Sequence, residues 1–225
     1  MAARIDHLVV AAATLDAGVA WCEGTLGVVP AAGGEHPLMG THNRVLRIAT
    51  VDYPRAYLEI LAVQPGRLPQ RAHRWFDLDA ETVRDTLARS GPRLLHYVVN
   101  VSDVRAAVDT WARLGIARGE PVAASRMTQR GLLQWQITLR DDGQRLFAGA
   151  LPTLIEWGEV HPASSLPESG VTLQALCATH PEAATLRGAY EAIGLHGVAV
   201  KDGAPNLCAV LETPRGRVHL ASEGL

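Results

Sequence analysis

Apolar residues dominate positions 4–12, RIDHLVVAA, and predict a strand. Over TLDAGVAWCEGTLGV the apolar spacing becomes helical, with Asp16 as the expected N-cap and Gly27 where a glycine ends the helix. VVPAAGGEHPLMGTHN then leads into two strand-like runs, RVLRIATV and AYLEILAV, joined by the turn DYPR. The order is strand, helix, then three strands.

The pattern restarts at residue 93. RLLHYVVNV predicts a strand, and SDVRAAVDTWARLG a helix capped by Ser102 or Asp103 and stopped by Gly115. EPVAASRM, LLQWQITLR and LPTLIEWGEV predict three further strands. A smaller third round follows the Pro- and Ser-rich VHPASSLPESG: VTLQALCAT, the helix HPEAATLRGAYEAIG, then GVAVKDG, NLCAVLET and GRVHLAS. The expected division is a first βαβββ module at 1–63, a connector at 64–92 holding the short helix DAETVRDTLARS, a second module at 93–160, and a third at 170–225. The fold class is α+β, with βαβββ modules paired into a curved mixed sheet and a third, smaller βαβββ-like unit.

A single His interrupts the first strand of each large module. His7 in RIDHLVV and His96 in RLLHYVV share one place, taken by Gln174 in the third copy. In the last strands, Glu59 of AYLEILA and Glu156 of TLIEWGE share another, with His219 at or beside it in the third copy. A carboxylate on a buried strand face is costly unless paired or metal-bound. Two His nitrogens and two Glu oxygens suit a divalent cation such as Zn²⁺, Ni²⁺, Co²⁺, Fe²⁺ or Mn²⁺, with two octahedral positions left for water or substrate. The same residues also suit two separate hydrogen-bonded His–Glu pairs, one per module, with no metal.

The stretch HPLMGTHN gathers His36, Thr41 and Asn43 beside Gly33, Gly34 and Gly40. These read as a substrate-orienting cluster with His36 as acid or base, or as a polar turn bonded to its own backbone. Arg47 and Arg126 are candidate anion clamps or solvated surface. Trp135 and Trp157 belong to the core or to a cleft wall.

Composition narrows the partners. The net charge is −2 without a basic cluster, and Lys201 is the only lysine, so nucleic acid and anionic membrane are not expected. No run reaches the roughly 18 apolar residues of a membrane span, and the opening residues lack a basic stretch and a long apolar run, so a signal peptide is not expected. Three widely spaced cysteines, Cys22, Cys177 and Cys208, suit buried thiols in a reducing compartment, so a cytoplasmic protein is expected.

GGEHPLMGTHNRVL, LPTLIEW and HPASSLPESGVTLQAL, with RIDHLVV and the βαβββ order, resemble the vicinal oxygen chelate superfamily (glyoxalase, bleomycin resistance, extradiol dioxygenase). Within it the chain resembles the glyoxalase-like domain family of single-chain bacterial proteins. The resemblance implies metal ligands on the first and last strands of each module. The bacterial glyoxalase I pattern then falls on His7, Glu59, His96 and Glu156, with Glu59 and Glu156 also catalytic, and Thr41, Asn43, Arg47 and Trp135 against a small-molecule substrate. The expected activity is a metal-dependent lyase or isomerase acting on a small oxygenated metabolite. A metal-free binding protein and an Fe-dependent ring-cleaving dioxygenase are the alternatives. Both modules lie in one chain, so the site can form within a subunit, and a homodimer stays open with the third unit as cap or dimerisation surface.

Overall fold

The computed structural model describes residues 3–128 and 131–225. The first unit comprises β1 (Arg4–Ala11), α1 (Leu15–Leu26), β2 (Ala31–His36), β3 (Thr41–Arg47) and β4 (Tyr57–Val63). A connector carrying α2 (Glu81–Ser90) leads to β5 (Arg93–Asn100), α3 (Val104–Arg113), β6 (Glu120–Thr128), β7 (Gly131–Leu139) and β8 (Thr153–Trp157). These eight strands form one mixed sheet in the order β2-β3-β4-β1-β5-β8-β7-β6. In each half the last strand returns parallel to the first, β4 beside β1 and β8 beside β5, and β1 pairs with β5 antiparallel at the centre. This curled sheet of two matched halves is the glyoxalase-type fold expected from the sequence. The edges curl toward each other: the Arg126 guanidinium on β6 packs directly against Gly34 on β2, where a Cβ would collide with it.

Local chemistry explains the elements. Thr14, not Asp16, caps α1, its hydroxyl accepting from the Ala17 amide at 3.1 Å. Asp16 lies in the first turn, where its charge complements the helix dipole. Gly27 ends α1 with φ 78°, a left-handed conformation that costs glycine little. Asp103 caps α3 through the Ala106 amide.

A second sheet contains β9 (Thr172–Thr179), β10 (Val198–Lys201), β11 (Asn206–Thr213) and β12 (Gly216–Ala221), ordered β10-β9-β11-β12, with α4 (Ala183–Ala192) after β9. Its element order repeats that of the large modules but its pairing does not. The last strand, β12, lies at the sheet edge and bonds β11 rather than returning to β9. Gln174 and His219 are consequently exposed and face no site. The outer face of the large sheet, with Leu8, Ile60, Tyr97 and Leu154, shares one apolar core with α1, α3 and this second sheet. Polar contacts seal the joint: the Tyr97 and Tyr190 hydroxyls lie 2.7 Å apart and both donate to the Ala150 carbonyl, and Trp111 Nε1 donates to Ala189 O at 2.8 Å. On the inner face Val9, Leu61, Val98 and Ile155 pack with Phe76, Leu78 and Leu87 of the connector. Among the described residues no helix is long and apolar enough to cross a membrane.

Candidate functional site in the sheet cleft

Adjacent strand residues normally point to opposite faces. Ile5 and Leu8 nevertheless both enter the outer core. The register explains this: Ile5 pairs with Val99 and His7 with Val98, leaving Asp6 as an extra, bulged residue. Asp6 and His7 therefore share the inner face. The bulge recurs in β5, where Leu94 and Tyr97 enter the outer core and Leu95 is the extra residue before His96. Leu95 thus stands where Asp6 stands in the first half.

That one difference separates the fates of the two histidines. Asp6 is fully buried and accepts from His7 Nδ1 at 2.7 Å, His161 Nε2 at 2.9 Å and Trp157 Nε1 at 2.8 Å. Burial opposes ionisation of Asp6, but the hydrogen bonds and charges of His161 and His7 outweigh it and hold the carboxyl well below the usual range. Because a carboxylate only accepts, His7 carries its hydrogen on Nδ1, and Nε2 faces Glu59 Oε2 at 3.7 Å. The ring of His7 stacks on Tyr57 with centroids 4.6 Å apart.

His96 has no such freedom. Its Nε2 accepts from the Thr153 amide at 3.1 Å, so Nδ1 carries the hydrogen and donates to Gly149 O at 3.1 Å. Burial, followed by the charges of Arg118 and Arg145, holds His96 well below the ordinary imidazole range, so it stays neutral. The Phe76 ring covers it at 4.8 Å, reached through a left-handed backbone at Phe76 with φ 61°.

Glu59 lies on β4 opposite Val9, two residues beyond His7 on β1. The residue opposite Val98, two beyond His96, is Thr153 and not Glu156. Glu156 lies three residues further on, an odd step that turns it to the other face. There its Oε2 accepts the Val104 amide at 2.8 Å, at the start of α3. Replacing Glu156 by alanine is expected to lower stability by about 1 kcal/mol through loss of this helix-terminal contact. Urea denaturation checks the loss, and ligand binding in the cleft should not change.

Around Glu59 the sequence places small and polar residues for steric reasons. Asn43 Nδ2 donates to Glu59 Oε1 at 2.5 Å, while Asn43 Oδ1 accepts the Gly34 amide at 2.6 Å. A Cβ at Gly33 would strike Asn43, so only glycine lets β2 approach this closely. His36 Nδ1 lies 3.1 Å from Thr41 Oγ1, and its Nε2 is 3.9 Å from Glu59 Oε1. Burial pushes the His36 imidazole down to about 4; Glu59 pulls it up, and Arg126, His7 and His42 add to the lowering. At neutral pH His36 is uncharged.

This polar cluster sits at one end of a cavity of about 800 Å³, within the size range of small-molecule sites. Trp135 and Trp157, 5.5 Å apart, form a wall from the second half, and Trp75 and Phe76 of the connector stack at 5.0 Å to close another side.

Of the residues expected from the sequence, His7, His36, Asn43 and Glu59 meet, Thr41 stands behind His36, and Trp135 lines the wall. His96, Glu156 and Arg47 lie elsewhere; Arg47 forms an ion pair with Glu168 outside the cavity lining. Asp6, Tyr57, Trp75 and His161 are site residues that sequence reasoning missed. Asp6 carried a usable signal, an acidic residue in an apolar strand where the second repeat has Leu95.

The glyoxalase-like domain model matches residues 5–194 of the sequence. The chain belongs to the glyoxalase-like domain family. A comparison with curated proteins finds no match. Among solved structures, a hypothetical protein from Staphylococcus aureus has 12% identity and a TM-score of 0.58, with 97% of this chain and 85% of that one covered. That likeness is one of fold and spans both sheets. A methylmalonyl-CoA epimerase in complex with methylmalonyl-CoA and NH4+ has 21% identity and a TM-score of 0.43, with 72% and 99% covered. An epimerase variant from Streptomyces coelicolor in complex with 2-nitronate-propionyl-CoA has 22% identity and a TM-score of 0.41, with 68% and 96% covered.

The four-ligand metal set drawn from the repeats does not fit this family member. Both nitrogens of His96 are hydrogen-bonded, and Glu156 serves α3. Among the described residues no group of three or more His, Cys, Asp or Glu is arranged to hold a metal ion.

Proposed function

We propose that this member of the glyoxalase-like domain family catalyses proton transfer on a small oxygenated metabolite, a lyase- or isomerase-type reaction. The observation that carries the reading is Glu59, a buried carboxylate at the polar end of a largely apolar cavity, with His7 Nε2 at 3.7 Å and neutral His36 on its other oxygen. In this mechanism Glu59 removes a proton from a carbon beside a carbonyl. Asn43 fixes the carboxylate, and Asp6 fixes His7 through Nδ1 with its Nε2 turned toward Glu59, where it can pass a proton. The aromatic walls exclude water from the anionic intermediate. The Zn²⁺, Ni²⁺, Co²⁺, Fe²⁺ or Mn²⁺ centre suggested by the sequence pattern enters no step.

The test is hydrogen exchange in D2O. Incubating the protein with a panel of α-hydroxy acids, α-keto acids and aldehydes should wash out the carbon-bound proton of at least one compound faster than buffer, read by NMR. Exchange at the buffer rate for every compound overturns the reading. The Trp75, Trp135 and Trp157 surfaces favour a second one, a metal-free binding protein, for which compounds bind and none exchanges.

A further inference from the structure

Two side chains that line the cavity each carry a buried donor with no acceptor among the described residues. Arg126 Nη1 and Trp75 Nε1 are each sealed from solvent and lack a hydrogen-bond partner among the described residues. Both side chains line the cavity, and they come from different segments, β6 and the connector. A buried unpaired donor is costly, and a guanidinium more so. Arg126 also lies close enough to the polar cluster for its charge to favour the deprotonated forms of His36 and Tyr57. Its position is built in by glycine: Gly34 leaves the space that the guanidinium fills. The other cationic candidate, Arg47, is neutralised by Glu168.

We infer that the cavity binds an organic acid, with its carboxylate on the Arg126 guanidinium and its apolar or aromatic body against Trp135 and Trp157. This deepens the proposed function by naming the substrate class of the same site. A carboxylate accepts from the guanidinium and neutralises Arg126, whereas an amide of the same shape supplies an acceptor without charge. Beside His36 and Glu59, the acid's carboxylate brings its neighbouring carbons to the proton-transfer end of the cavity.

Binding separates this inference from the catalytic reading. Three lining tryptophans make intrinsic fluorescence a reporter, and the probes are matched acids and primary amides: propionate and propionamide, phenylacetate and phenylacetamide, indole-3-acetate and its amide. At least one acid should bind about tenfold or more tightly than its amide. Arg126→Gln should abolish that preference while the amide still binds as to wild type. Gly34→Ala, whose added methyl displaces the guanidinium, should do the same with the circular dichroism spectrum unchanged. If no acid outbinds its amide, or if both variants keep the preference, the inference is overturned. Acid preference without hydrogen exchange would sink the catalytic reading alone; exchange without acid preference would sink this one alone.

Discussion

Glu59→Gln is expected to abolish hydrogen exchange, lowering its rate by roughly 10²–10⁴-fold, the usual contribution of a positioned general base. Glutamine keeps the shape and can still accept from Asn43 Nδ2 in place of Glu59 Oε1. It removes the charge that faces His7 Nε2 and His36 Nε2. Ligand binding measured by tryptophan fluorescence should change little, because the aromatic walls and Arg126 are untouched. Retention of more than about a tenth of the wild-type exchange rate, with folding intact, would remove Glu59 from the role of base.

Asp6→Ala is expected to cost about 3–5 kcal/mol, because it strands three buried donors, His7 Nδ1, His161 Nε2 and Trp157 Nε1. That is a large share of the roughly 5–15 kcal/mol that keeps a domain folded, and urea denaturation at neutral pH measures it. Asp6→Asn, which keeps one acceptor oxygen, should lose less. The effect has a signed pH dependence. The Asp6 carboxyl is held below its ordinary value in the fold, so its contribution is complete above the unfolded value near pH 4 and is lost as pH falls further. The gap between wild type and Asp6→Ala should therefore narrow below about pH 4. His36 acts in a separate window. Its folded value of about 4 lies below its unfolded 6.5, so between these the unfolded chain binds the extra proton. Wild-type stability should rise with pH across that window, by up to about 1.4 kcal/mol per pH unit from this group. A flat profile between pH 4 and 6.5 contradicts the neutral, buried state of His36.

The sequence by itself determined the elements and their repetition. Hydrophobic periodicity switches cleanly between strand and helix, and Gly27, Asp103 and Gly115 mark real helix ends. It also singled out His7, Glu59, His36 and Asn43, which the fold brings together, because ionisable or amide groups among apolar residues need a partner wherever they fold. Tertiary structure decided how they combine. Glu59 and Glu156 align by eye in the two last strands, yet a strand alternates with period two, and a three-residue offset turns Glu156 outward to α3 while Thr153 takes the inner place. No local pattern reveals that offset, since pairing between distant strands sets it. The bulges at Asp6 and Leu95 break the alternation in the same way, and the chemistry of the bulged residue made one half the polar site and the other its wall. Arg126 reached the cavity only because the sheet curls until its two edges meet at Gly34.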